Sequence, residues 1–588
     1  VTTKLSGSIS SLNAVAMGDA KADLVLTGCT VVSVYTGETI AGSQIAIAGD
    51  RIAYVGPDAS HALGPKTVRM DLAGKYVTPG LADPHIHIDQ FVLPHEMAKK
   101  SILCGVTSLF SDPIDIVSVA GNAGFREFLK LCSDLPIRIF SVVPGGLPVD
   151  PKFSHGRSLT TAQAKAAARN PNVLGLGEVF SWIKVTMRDP KTMRDLAGML
   201  EADCIINGHT AGASEKKLNA YVASGILSCH EPVDFDQVLD RLRLGMWIMI
   251  REGSIRRDLK EIVPRVLSHG TYTDRLMFCS DGLDPHDMGR YGHIDHCIRE
   301  SVRLGMRPAD AVAIASKNCF DYYGMGKDLG GIAPGKLADI LVLDSLEKFR
   351  PDKVFVGGRL AASDGKVVAK PRPRRIPRAL LSTVRLQKLS AKDFVVKSKR
   401  DRVAVNTITM LTEIITKPGT AELEARDGNV LASPDKDVYK VAAFDRTGRT
   451  GARAVGFLNN FGARIGAFAS TWSFHENDLI VIGSNEKDMA AAANHLIRSR
   501  GGMAVVSGGR TVASMPLQFG GIVSTDPFDR VAKNFADINA SIVDAGSKFS
   551  CPHLVPLFLP FLALPSVRIL YRGIVDVKRR SFVSPLAQ

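Results

Sequence analysis

The 588-residue chain is 45% hydrophobic and 22% charged, an ordinary globular balance that excludes intrinsic disorder and calls for two or three domains. Lys and Arg exceed Asp and Glu by 14, but the excess is dispersed. Its densest run, residues 370–378, is broken by three prolines and reads as a solvated linker, not a nucleic-acid stripe. Nine cysteines without a C-x-x-C pair point to reduced thiols in a cytoplasmic protein, without a disulfide framework or a zinc knuckle.

Residues 1–20 lack an apolar core and read as a loose polar arm with no signal peptide. Residues 21–70 contain short β-branched runs (ADLVLTG, SQIAIAGDRIAYVGP) punctuated by Gly and Asp, and the same texture returns over 331–369. Together these flanks predict one small, split β-sandwich around a large insertion. Residues 71–330 alternate apolar strands with helical stretches. We count eight strand candidates: YVTPGLADPHIH, VTSLF, IRIFSVV, VLGLGEV, CIINGH, GILSCH, MWIMIRE and LMFCSD. Eight parallel units in about 250 residues match a closed (β/α)8 barrel. After the basic linker, 370–384, residues 385–588 alternate strands and helices again as a separate α/β domain with no phosphate-binding glycine loop. The apolar C-terminal stretch CPHLVPLFLPFLALP is interrupted by four prolines, so no membrane-spanning helix is expected, although it suits an interface.

The chemistry is concentrated at the strand ends. His85 and His87, two apart in GLADPHIHID, share a face and can chelate one ion. The fourth candidate ends in Glu178, the fifth in His209, the sixth in His230 followed by Glu231, and the eighth in Asp281. A single such residue is more often a hydrogen-bonded histidine or a capping acid. Six at successive strand ends of a barrel converge on one cavity, where imidazoles and carboxylates without thiolates suit Mn, Fe or Zn.

These motifs, with the closing GGIAPGKLADILVLD, resemble the amidohydrolase superfamily. The long stretches NGHTAGASEKKLNAYVASGILSCHE, LRLGMWIMIREGS, FCSDGLDPHDMGRYGHIDH and FLALPSVRILYRGIVDV are similar to the adenine deaminases, over nearly the whole chain. The resemblance implies a binuclear centre, manganese foremost with iron or zinc as alternatives. His85, His87 and Asp281 would hold one ion, His209 and His230 the other, and Glu178 would bridge them. It further implies that a hydroxide shared by the metals adds to C6 of adenine, releasing ammonia and hypoxanthine. Asp281 would move the proton of that hydroxide to the amine, and Glu231 would protonate a ring nitrogen. Arg251, Glu252 and Ser254 either contact the base or support neighbouring loops. The implied partners are a purine base and water, with no nucleic acid or membrane, in a cytoplasmic homodimer.

Three places depart from the family pattern. Asp89 and Gln90 stand where Glu-Ser-Ser usually follows the first metal motif. DPIDI, with Ile114 and Asp115, replaces Asp-Pro-His-Glu-Ile, and SFHENDL, with His475, replaces a Ser-His-Asp-Ser-His-Asn run. Two alternatives to adenine deamination therefore stay open: a diverged hydrolase of another amino-substituted heterocycle or cyclic amide, and a non-catalytic scaffold.

Overall fold

Residue alternation builds the first sheet. In a computed structural model, which describes residues 4–371 and 373–587, Leu24, Leu26, Ile45, Ile47 and Ile52 face one apolar cluster, while the intervening Val25, Ala46 and Ala53 face another. The nine-stranded sheet draws on both flanks of the chain. Its order is Lys366–Val367, Arg359–Ser363, Pro351–Val356, Ile340–Leu343, Tyr76–Pro79, Leu24–Val32, Thr39–Ala48 and Arg51–Gly56, with Val68–Asp71 also paired to Leu24–Val32.

The expected arm behaves differently from its reading. Residues 9–17 form a helix whose Leu12 and Val15, three apart, are buried against the small side chains Ala46 and Ala53 of the sheet. A short polar segment with only two such anchors carries too weak a pattern to read without the surface it meets. Positions 1–3 of that arm, 372 of the linker and 588 lie outside the described residues. The linker itself is tethered: Leu380 is buried and its carbonyl accepts the Gly520 N–H at 2.7 Å.

The insertion forms a (β/α)8 barrel. Its strands are β1 (Leu81–Ile86), β2 (Val106–Ser111), β3 (Arg138–Val143), β4 (Val173–Val179), β5 (Ile205–Gly208), β6 (Ser228–Cys229), β7 (Trp247–Arg251) and β8 (Leu276–Cys279). The first five pair in parallel, as do the last three. A parallel bridge between Ile86 and Asp281 joins β8 to β1, and the Gly208 N–H donates to the Ser228 hydroxyl at 3.2 Å across the other seam. Tyr76–Pro79, expected as the start of β1, instead pairs with Ile340–Leu343 in the sandwich. Pro79 has no N–H for a continuing ladder, and the chain steps from one sheet to the other at Pro79-Gly80. Ala82, Phe110, Phe140, Met249 and Met277 fill the barrel, with Phe110 stacked on Tyr323 at 3.9 Å. The donor residues at the strand ends lie at the opposite, C-terminal mouth.

The C-terminal part is an α/β layer built on a second nine-stranded sheet, largely antiparallel, packed with helices Glu486–Arg498 and Phe528–Val543. Asn485 caps the first of these helices by accepting the Asp488 N–H at 2.8 Å. The strands Arg402–Met410 and Thr416–Arg426 were not singled out from sequence, since most of the latter's side chains are exposed or half-exposed. The proline-rich apolar stretch folds into short turns, Pro552–Leu554 and Val555–Phe558, and is buried. Among the described residues no helix is long and apolar enough to cross a membrane. One continuous apolar core runs from the barrel into this layer, joining Ile116 and Val117 to Trp472, Phe474 and Phe558.

At Gly175 two barrel strands approach closely: a β-carbon there would lie 2.0 Å from the Ile205 carbonyl oxygen. Because the obstacle is ladder backbone, Gly175→Ala is expected to push β4 from β5 at a cost of about 2 kcal/mol or more, measurable by urea unfolding.

Candidate metal centre

Backbone pairing at the seam between β8 and β1 assembles the first donor set. Asp281 donates its N–H to the His85 carbonyl at 2.9 Å, and His87 donates to the Asp281 carbonyl at 3.1 Å. Asp281 is held at φ 55, a left-handed conformation that its neighbours must impose. Asp83 braces the seam, accepting the N–H groups of His85 (3.2 Å) and Ser280 (3.3 Å) and the Ser280 hydroxyl (2.5 Å), and lying 2.8 Å from His293 Nε2. One Asp281 oxygen then lies 3.1 Å from His87 Nε2 and 3.4 Å from His85 Nε2.

The second set comes from β4, β5 and β6. One Glu178 oxygen lies 2.7 Å from His209 Nδ1 and 3.1 Å from His230 Nε2, while its other oxygen lies 3.7 Å from His87 Nε2. Glu178 thus faces both sets at once. Three groups keep their donor atoms within 4.8 Å of one another: His85 with His87 and Asp281, His85 with Glu178 and His230, and His209 with His230 and Glu231. All six sequence-proposed ligands are brought together. Glu231 joins them from behind His230, with a carboxylate oxygen 3.3 Å from His230 Nε2.

This donor set fits divalent cations. His87 Nδ1 lies 2.7 Å from the Asp112 carbonyl, so it donates there and leaves Nε2 turned to the carboxylates. His85 Nε2 is buried without a hydrogen-bond partner, as a ligand atom awaiting an ion would be. Burial works to raise the Glu178 carboxyl, but the adjacent His209 and His230 hold it well below the usual carboxylate range. Burial likewise opposes the Asp281 charge, yet Arg251, His85 and His87 hold that carboxyl well below its ordinary value. Burial, reinforced by His85, pushes His230 down to about 4, so it is a neutral donor.

Of the residues proposed near the substrate, Arg251 reaches the centre, donating to Glu231 at 2.7 Å and also to Asp281. Glu252 and Ser254 turn elsewhere: Glu252 faces His296 at 3.5 Å, and the Ser254 hydroxyl accepts the Asp284 N–H at 3.0 Å. Residues on the same strand end point alternately inward and outward, which separates Glu252 from Arg251. Sequence reasoning passed over Arg256, which donates to Glu231 (3.0 Å) and to the His230 carbonyl (3.1 Å). It also passed over Asp83 and Asp112. Asp112, which accepts the Glu178 N–H at 2.8 Å, stands at the end of β2, the same strand-end signal that flagged the ligands.

The three sequence departures meet at one buried point. Asp115 accepts the Gln90 side-chain amide (3.0 Å), the Trp472 indole N–H (3.2 Å) and the His475 backbone N–H (3.3 Å), while Asp89 accepts the Ile116 N–H (2.8 Å). The C-terminal layer thereby roofs the barrel mouth. Burial pushes the His475 imidazole down to about 3, so it is neutral, and its ring lies against Phe180, two residues past Glu178, at 5.1 Å.

Comparison with known proteins identifies the family. Residues 76–361 match the amidohydrolase family, and residues 413–581 match the adenine deaminase C-terminal domain. An adenine deaminase of Cenarchaeum symbiosum is 60% identical over 583 residues, covering 99% of this chain and 96% of that protein. The chain belongs to the adenine deaminase family. More distant adenine deaminases, from Moorella thermoacetica (34% identity; 96% of each chain) and Dehalococcoides mccartyi (33%; 97% of this chain and 98% of that one), match over similar spans. The adenine deaminase C-terminal domain of this chain therefore includes the roof segment, residues 473–478, that meets Asp115.

That roof has a titration of its own. Asp478 is buried, which raises its carboxyl to about 8 even though it accepts the Tyr571 N–H at 2.9 Å. Its folded value lies above the unfolded one of 3.8, so the stability it contributes is complete below about pH 4 and is lost as pH rises through about 8. Asp478→Asn, neutral throughout, is expected to flatten the fall in Tm across that window; parallel Tm profiles for parent and variant would exclude Asp478 as its source.

Proposed function

We propose that the chain hydrolyses adenine to hypoxanthine and ammonia, with His85, His87, Glu178, His209, His230 and Asp281 holding two divalent cations. One observation carries the reading: Glu178 faces both donor sets in a family member 60% identical over its length to an adenine deaminase. When bound, such ions, manganese foremost with iron or zinc accepted by the same donors, supply Lewis acidity that makes water a nucleophile at neutral pH.

The chain's own groups handle the protons. Hydrolysis at C6 consumes one water, whose two protons must end on N1 of hypoxanthine and on the departing ammonia. Asp281 and Glu231 are the two carboxylates available for this. Burial opposes the Glu231 charge, but Arg251, His209 and His230 bring its carboxyl down to about 2. Glu231 therefore begins as an acceptor: it takes a proton from water before delivering one to N1, so it is a shuttle and not a resting acid. Asp281 carries the second proton to the amine. Arg251, bonded to both carboxylates, keeps them oriented and prevents their mutual repulsion from driving them apart.

A second reading, hydrolysis of a related amino heterocycle or cyclic amide, is favoured by the convergence of Asp89, Gln90, Asp115 and His475 beside the centre. A cytoplasmic location and a homodimer belong to the proposal as implications of family resemblance.

Protein expressed with added manganese and with iron chelated is expected to release ammonia and hypoxanthine from adenine. Glu231→Gln is expected to retain both metals while kcat falls by about 100-fold or more. Silence on adenine from a parent carrying two metals per chain would transfer the assignment to other heterocycles; chelation that leaves turnover intact would end the metal reading.

A further inference from the structure

We propose that His475 determines specificity in this chain: its imidazole, carried over the barrel mouth by the C-terminal layer, hydrogen-bonds the five-membered-ring edge of the purine at N7. The inference deepens the adenine reading and rests on it.

The ring is fixed in place by contacts that leave its Nδ1 unused. Asp115 accepts the His475 backbone N–H at 3.3 Å, and the His475 carbonyl accepts the Ser118 hydroxyl. Gly156 passes so close that a β-carbon there would lie 2.7 Å from that carbonyl oxygen. The imidazole packs against Phe180 (5.1 Å) and Phe561 (4.8 Å). Yet Nδ1 is buried with no hydrogen-bond partner among the described residues. A buried imidazole nitrogen left unbonded is destabilising unless another molecule supplies the bond. The backbone is held at a similar disadvantage, with His475 at φ 61 and Asn477 at φ 54. Left-handed residues other than glycine tend to persist where function requires them.

Position decides which edge of the base is met. His475 contacts Asp115 and Ser118 after β2, Gly156 after β3 and Phe180 after β4. In a ring of eight strands that arc lies across from β6 and β7, which carry Glu231 and Arg251. With C6 of adenine over the donor cluster and N1 toward Glu231, the opposite flank of C6 is N7. A neutral imidazole can donate one N–H to that lone pair. His475 also lies where the three departures from the family pattern meet.

The test uses the full-length, metal-loaded enzyme and its His475→Met and His475→Gln variants, comparing kcat/KM for adenine and for 7-deazaadenine, in which N7 is replaced by C–H. Metal content and Tm are measured alongside. The intrinsic reactivity difference between the two bases cancels when the adenine preference is compared across proteins. His475→Met, of similar bulk and without a donor, is expected to reduce that preference by about tenfold, mainly through adenine. His475→Gln, which keeps a donor, is expected to retain the larger part. An unchanged preference in His475→Met overturns the proposal. So does an equal loss for both bases in both variants, which would make His475 a packing residue. A parent that carries two metals but releases no ammonia from adenine is a separate failure: it removes the activity reading before any variant is compared.

Discussion

Three carboxylates, Glu178, Glu231 and Asp281, are buried side by side at the barrel mouth, and each costs free energy there unless positive charge is placed beside it. The surrounding structure meets that constraint in layers. Arg251 bonds Glu231 and Asp281 together, Arg256 adds a second guanidinium to Glu231, and imidazoles fill the remaining approaches to Glu178. Even so, burial is outweighed at His87, whose imidazole is raised well above its ordinary value by Asp281 and Glu178. A cluster that draws a proton onto one of its own donor histidines is one suited to bound cations.

The same constraint explains why the barrel is built as it is. Donors at strand ends converge only if the strands are pinned at both seams, and the pinning next to Asp281 is done by its own backbone. Asp83 and Asp112 then hold the peptide N–H groups of His85 and Glu178. Neither needs to touch an ion to decide where the ligands point. Large side chains plug the other end of the barrel, while the donor residues stand at its mouth.

The C-terminal layer completes that mouth. Asp115 is the joint, receiving donors from Gln90 on the barrel side and from Trp472 and His475 on the other. A buried carboxylate satisfied from both domains couples their positions, because losing either set of donors leaves a charge unpaired. The continuous apolar core beneath it gives the same coupling without direction; the polar joint supplies the register.

The barrel, its strand segments and the donor types at its mouth were legible in the sequence, because strand alternation and parallel packing leave period-two and apolar-run patterns over a few residues each. The helix at residues 9–17 was not, since two anchors in a polar segment show no pattern until the sheet they cover exists. Nor was the end of the sandwich strand at Pro79 within a single apolar run. The bonds that join Asp115 to Trp472 and His475 span 357 and 360 positions, and no local periodicity encodes a pairing at that separation. The sequence by itself determined which chemical groups stand at the strand ends. Only the tertiary structure decided which carboxylate oxygen faces which imidazole, that Arg251 turns inward while Glu252 turns away, and that His475 closes the mouth, because those choices are made by packing and charge compensation between distant segments.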